Sequence, residues 1–156
     1  MHPRAREFAA AAAEDHDVDL DVQEFEDGTE TAADAAAAIG CDVAQIASSL
    51  VFVADGDPVV VVTSGANRVD EDRLAEAVGA ASVEMADPDA VREATGYSIG
   101  GVPPFCHETD LPVYVDETLL SFDVVWAAAG TPAAVFSIDP DRLVEHSDGT
   151  PIRVTG

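Results

Sequence analysis

The residues best suited to chemistry lie between Glu84 and Asp116. Within that stretch, Gly96-Tyr97-Ser98-Ile99-Gly100-Gly101 runs into Val102-Pro103-Pro104-Phe105. Glycine opens backbone angles closed to other residues and lets a ligand approach the main chain, while proline stiffens the backbone around it. Strand-like runs lead in (Ser82–Met85) and out (Pro112–Val115), so the stretch reads as a binding loop on a rigid frame. His107, the one histidine near the loop, can orient a water or a carbonyl, or bond to backbone as an ordinary loop histidine. Cys106 has no basic neighbour to make it a thiolate and reads as a small half-buried residue. Ser48 has no base assigned to it, which favours a strand serine facing a pocket over a nucleophile. His2, His16 and His146 show no ligand spacing with Cys41 or Cys106, so neither a metal nor a cofactor is expected. Arg68 and Arg92 are the nearest candidates for phosphate contacts, and Asp116 is expected to fix the turn after its strand.

The elements that would hold these residues in place can be read in order. Pro3–Ala13 is an alanine-rich helix, and Val18, Leu20 and Val22 alternate with acids as a half-buried strand should. Gly28-Thr29 turns the chain, and Thr31 opens a second helix that Gly40 can end. After a short apolar turn at Val43–Ile46, Ser48–Val53 and Val59–Val62 read as strands of a hairpin around the turn Asp55-Gly56-Asp57-Pro58. Asp70 can cap a helix over Glu71–Val78, and Asp87-Pro88 starts another that runs to about Ala94. Beyond the loop come a strand at Val113–Val115, one helical turn at Asp116–Ser121, and strands at Val124–Ala129 and Ala134–Ile138. Asp139-Pro140 opens a last helix through Glu145, and Ile152–Val154 is a candidate edge strand. The pattern predicts an α+β (mixed α/β) single domain over residues 1–156. Its twisted mixed sheet should have about seven strands with about five helices around it.

Composition narrows the setting. Asp and Glu number 31 against 7 basic residues, for a net charge of −24. All the basic residues are arginines, and lysine is absent from the chain. The hydrophobic content of 47% argues against disorder despite that charge. Acids spread along the chain rather than gathered in a tail suit a salt-saturated cytoplasm, where the Debye length at about 1 M salt is only ~3 Å. A metal buffer or a nucleic-acid mimic would concentrate its acids more tightly. No apolar run approaches the ~18 residues of a membrane span, and Glu7, Glu14 and Asp15 interrupt any signal-peptide core. A soluble cytoplasmic protein is expected.

Three motifs add a more specific reading. The first is Val43-Ala-Gln-Ile-Ala-Ser-Ser-Leu-Val-Phe52. The second is Val83-Glu-Met-Ala-Asp-Pro88 running into Thr95-Gly96 and Gly100-Gly101-Val102-x-Pro104. The third is Leu111-Pro112 through Asp116. With the order of the elements, they resemble the YbaK/prolyl-tRNA synthetase-associated domain family over nearly the whole chain, roughly Glu14 to Leu143. The resemblance implies a partly closed sheet and a pocket beside the Gly-Gly loop. It also implies a deacylase that hydrolyses the ester of a mischarged tRNA in trans. Such an enzyme meets the aminoacyl-tRNA 3′ end transiently, with an aminoacyl-tRNA synthetase as a candidate partner. Gly100 and Gly101 would present N–H groups to the tetrahedral oxyanion, with Ser48 and His107 completing the catalytic set. Ser49, Thr95, Gly96, Val102 and Pro104 would contact substrate. A small pocket would reject the larger, correct amino acid.

Two departures from the family accompany the resemblance. Ser48-Ser49-Leu50 stands where the family carries Lys-Ser/Thr-Leu, so a positive charge is missing. Gly130-Thr-Pro-Ala-Ala-Val135 lacks a carboxylate that some members carry after a Gly-Gly turn. The chemistry then runs on backbone amides and the substrate's own hydroxyl, or specificity has changed, or the protein binds without cutting. A catalytically weak module recognising an aminoacyl group, a nucleotide or a partner protein is the alternative, followed by a general small-ester hydrolase. At −24 the field of the protein repels tRNA, so binding would depend on shape and stacking at the 3′ end.

Overall fold

The computed structural model describes residues 3–16, 20–25 and 31–155. Helix α1 (Pro3–His16) continues past Ala13 through Glu14, Asp15 and His16. The remaining helices start and stop on local signals. Thr31 Oγ1 accepts from Asp34 N–H (3.1 Å) to open α2 (Ala32–Ile39), and left-handed Gly40 closes it. Asp70 and Gly79 bracket α3 (Glu71–Val78) in the same way. Asp87 and Pro88 start α4 (Pro88–Thr95), and Asp139 and Pro140 start α5 (Pro140–Ser147).

The first strand, β1 (Val22–Glu24), is shorter than the alternation from Val18 predicts. Residues 17–19 and the Gly28-Thr29 turn lie outside the described residues. Strands β2 (Ile46–Ala54) and β3 (Asp57–Ser64) pair as the expected hairpin. Its turn is only Asp55-Gly56, with φ of 50° and 90°, the pair of positive angles that a two-residue hairpin needs. Asp57 and Pro58, expected in the turn, already pair with Ala54 and Val53. Then follow β4 (Val83–Met85), β5 (Val113–Asp116), β6 (Val125–Ala128), β7 (Ala134–Ile138) and β8 (Thr150–Ile152). β8 starts ahead of the edge strand expected at Ile152–Val154 and pairs with β5.

These strands form one mixed sheet in the order β1-β7-β6-β2-β3-β5-β8, with β4 added beside β2. The β2/β6, β3/β5 and β5/β8 pairs are parallel and the others antiparallel. The described ladder is open, with β1 and β8 at its ends, where the family resemblance implied partial closure. Val60 and Val62 face the main core with Phe8, Val91, Phe105 and Phe136. Val59 and Val61 face a second cluster with Phe52, Leu74 and Val154, so the β-branched run is buried on both faces. Asp116, buried at the end of β5, accepts from Ser64 N–H (3.0 Å), Asn67 Nδ2 (2.9 Å) and Thr118 N–H (3.0 Å), tying β3 to β5. Among the described residues no helix is long and apolar enough to cross a membrane.

Candidate active site

β2 carries the site because its free edge is covered only at its ends. Ile46 and Ala47 pair with β6, and Phe52–Ala54 pair with β4. Between them, among the described residues, the Ser48–Val51 edge has no strand beside it, and a cavity of about 230 Å³ occupies the break. Both faces of β2 contribute to its wall, from Ile46 to Val51. Thr31, Ala32 and Ala35 close it from α2, Trp126–Ala128 from β6, and Ile99, Gly100 and Val102 from the glycine loop. Among the described residues, none of the side chains lining it is charged or titrates near neutral pH. The volume lies below the ~300–1,000 Å³ typical of drug-sized pockets, so it suits a small uncharged group.

The glycine loop forms this wall through close backbone packing. Gly100 has a φ of 88°, which favours glycine, and a Cβ there would sit 3.3 Å from Pro132 Cγ. A Cβ on Gly101 would lie 2.8 Å from Thr131 Cα and 3.1 Å from Pro132 Cδ. The loop therefore seats directly on the turn between β6 and β7. The two amides differ in use: Gly101 N–H donates to Ser98 O (3.0 Å), whereas no acceptor is bonded to Gly100 N–H among the described residues. Of the expected pair of donors, only Gly100 lies on the cavity wall with its amide unengaged. Gly101 contributes close packing.

The other expected site residues divide. Ser48, Ser49 and Val102 line the cavity with Gly100. His107 does not; its Nε2 bonds the Pro103 carbonyl (2.7 Å), where it steadies the loop. Burial holds the His107 pKa below 6.5, with the bond to Pro103 opposing. Thr95, expected to touch substrate, is fully buried, and its Oγ1 donates to Val91 O (2.7 Å) and accepts from Tyr97 N–H (3.1 Å). Gly96 ends α4, and its carbonyl accepts from Arg4 of α1. Pro104 is buried in the loop and absent from the cavity wall. Arg4 also stacks its guanidinium 4.4 Å from the Tyr97 ring, and Phe8 meets Phe105 at 5.5 Å, so α1 straps the loop in place. Burial pushes the Cys106 thiol up to about 11, so it is no nucleophile at neutral pH.

Sequence reasoning missed the opposite wall. Trp126 and Pro132 carry no chemical signal of their own, and only the parallel pairing of β6 with β2 sets Trp126 across from Ile46. Exposed Met85 and Ile99 flank the cavity and were missed for the same reason.

A mixed sheet broken at one strand edge, with a small cavity walled by a glycine turn and by uncharged side chains among the described residues, defines the candidate site. The chain belongs to the aminoacyl-tRNA editing domain family, which it matches over residues 26–145. It is 37% identical to the uncharacterized protein YwhH of Bacillus subtilis (strain 168), over 81% of each chain. It is 27% identical to an Enterococcus faecalis (strain ATCC 700802 / V583) protein named as a candidate Cys-tRNA(Pro)/Cys-tRNA(Cys) deacylase, over 77% of this chain and 74% of that one. A solved structure of a candidate trans-editing enzyme for prolyl tRNA synthetase superposes with a TM-score of 0.94 at 40% identity, covering 100% of this chain and 99% of the other.

Proposed function

We propose that the protein is an aminoacyl-tRNA deacylase acting in trans, which hydrolyses the ester of a small amino acid wrongly attached to a tRNA 3′ end. The observation that carries this reading is the small uncharged cavity with the unengaged Gly100 amide on its wall. Water adds to the ester carbonyl carbon, and the oxyanion that forms accepts from Gly100 N–H. The bond from that carbon to the ribose oxygen then breaks, releasing the amino acid and a tRNA with a free terminal ribose. Among the described residues the wall carries no titratable side chain, which supports proton transfer by water and the neighbouring ribose hydroxyl of the substrate. Amino acids too bulky for about 230 Å³ stay on their tRNA.

The setting we propose is a single domain in a salt-rich cytoplasm. It meets the tRNA 3′ end transiently and works beside a synthetase that makes the error. The net charge of −24 supports weak phosphate contact and recognition at the acyl group. The test is release of amino acid from a panel of mischarged tRNAs in multimolar KCl, against spontaneous hydrolysis. Selective acceleration for small amino acids is expected. No acceleration by folded protein would overturn the reading and leave a binding module.

A further inference from the structure

We propose that Ser49 binds the α-amino group of the aminoacyl ester through its hydroxyl and its main-chain carbonyl, which restricts the enzyme to esters with a free amine. The inference rests on the deacylase reading and names the substrate class of that cavity. Ser49 Oγ is one of two buried side-chain polar atoms without a hydrogen-bond partner among the described residues, and Ser49 lines the cavity. A buried hydroxyl without a partner is disfavoured, and a native structure that keeps one has reason to.

The backbone supplies the second observation. Successive residues of a strand turn their N–H and C=O groups to opposite edges. Val51 O accepts from Ala86 N–H on the β4 side (3.0 Å), so Ser49, two residues earlier, turns its own amide groups to the same edge. That edge is the part of β2 that neither β6 nor β4 covers. Among the described residues, the hydroxyl and the carbonyl of one residue that lines the cavity thus both lack a partner.

The rest of the wall assigns the ligand. Among the described residues, Thr31 and Ser48 are its only other side-chain hydroxyls: Thr31 caps α2, and Ser48 projects from the opposite face of β2. With the ester carbonyl at Gly100 and the amino-acid side chain against apolar wall, the α-amine is the remaining polar group. An amine or ammonium donates, and Ser49 offers two acceptors. An acylated amine has one N–H and added bulk in a cavity of about 230 Å³, so N-acylated and peptidyl esters are excluded.

The test compares alanyl-tRNA with propionyl-tRNA, the same ester lacking the amine, for the intact protein and for Ser49→Ala. The variant should lose roughly tenfold in kcat/KM on alanyl-tRNA, as expected for one hydrogen bond to a charged group, and stay within about twofold on propionyl-tRNA. Its melting temperature should not fall, because the hydroxyl removed has no protein partner. Equal loss on both esters, or no loss on either, overturns the inference while leaving the deacylase in place. If the intact protein accelerates neither ester, the deacylase reading fails as well.

Discussion

Replacing Gly101 with alanine tests the glycine loop through packing alone. A Cβ there would stand 2.8 Å from Thr131 Cα, 3.0 Å from Thr131 N and 3.1 Å from Pro132 Cδ. These neighbours are backbone and a proline ring, which cannot rotate away. The loop must back off its supporting turn by about 0.6 Å to reach ordinary contact. Overpacking of this kind costs ~1–3 kcal/mol, or roughly 2–4 °C of Tm per kcal/mol in a chain of this size. The displacement also moves the preceding Gly100 amide, and catalytic groups must be held within ~0.5 Å. Losing one oxyanion donor costs ~100- to 1,000-fold in kcat, so a fall of about 100-fold is expected with KM changed less. Thermal melts and single-turnover deacylation in multimolar KCl measure the two effects separately. Gly79→Ala is the control: its added methyl meets nothing within 4 Å, although φ is 74°, so it should cost ~1 kcal/mol and leave kcat unchanged. A Gly101→Ala protein that melts normally and keeps kcat within about threefold would refute both the packing argument and the role of the Gly100 amide.

Other perturbations have expected outcomes of their own. His107 has its folded pKa lowered from 6.5 by burial, so the unfolded chain binds the proton more readily. Its contribution to stability is complete above about pH 6.5 and is lost as pH falls through the lower folded value. Urea midpoints should drop between about pH 7.5 and pH 5, less so in His107→Phe, whose kcat/KM should stay within about threefold. With the Cys106 thiol at about 11, roughly one molecule in 1,000 carries the thiolate at pH 8. Alkylation of Cys106 in the folded protein should therefore be about 100-fold slower than in urea, and equal rates would contradict its burial. At a net charge of −24, raising KCl from about 0.1 M to about 2 M should raise Tm by screening self-repulsion; a flat response would argue against that repulsion.

Features that a few neighbouring residues can settle were legible in the amino-acid sequence. The caps at Thr31, Asp70, Asp87 and Asp139 bond amides two or three residues away, and the Asp55-Gly56 turn needs only its own backbone angles. The glycine loop was legible for the same reason, since glycine and proline act on the backbone where they stand. The site emerged only on folding, because each feature that makes it a site is a long-range contact. Which edge of β2 lies bare depends on β6 and β4 stopping short from opposite ends. That break is what sets Ser49, rather than Ser48, beside an unpaired edge with its hydroxyl buried. The Gly101 amide is engaged by Ser98, and His107 Nε2 by Pro103. Arg4 holds the loop from 92 residues away. A residue's type states which bonds it can make, but the register of strands distant in sequence selects the partner it finds, and so which amide and hydroxyl are left without one.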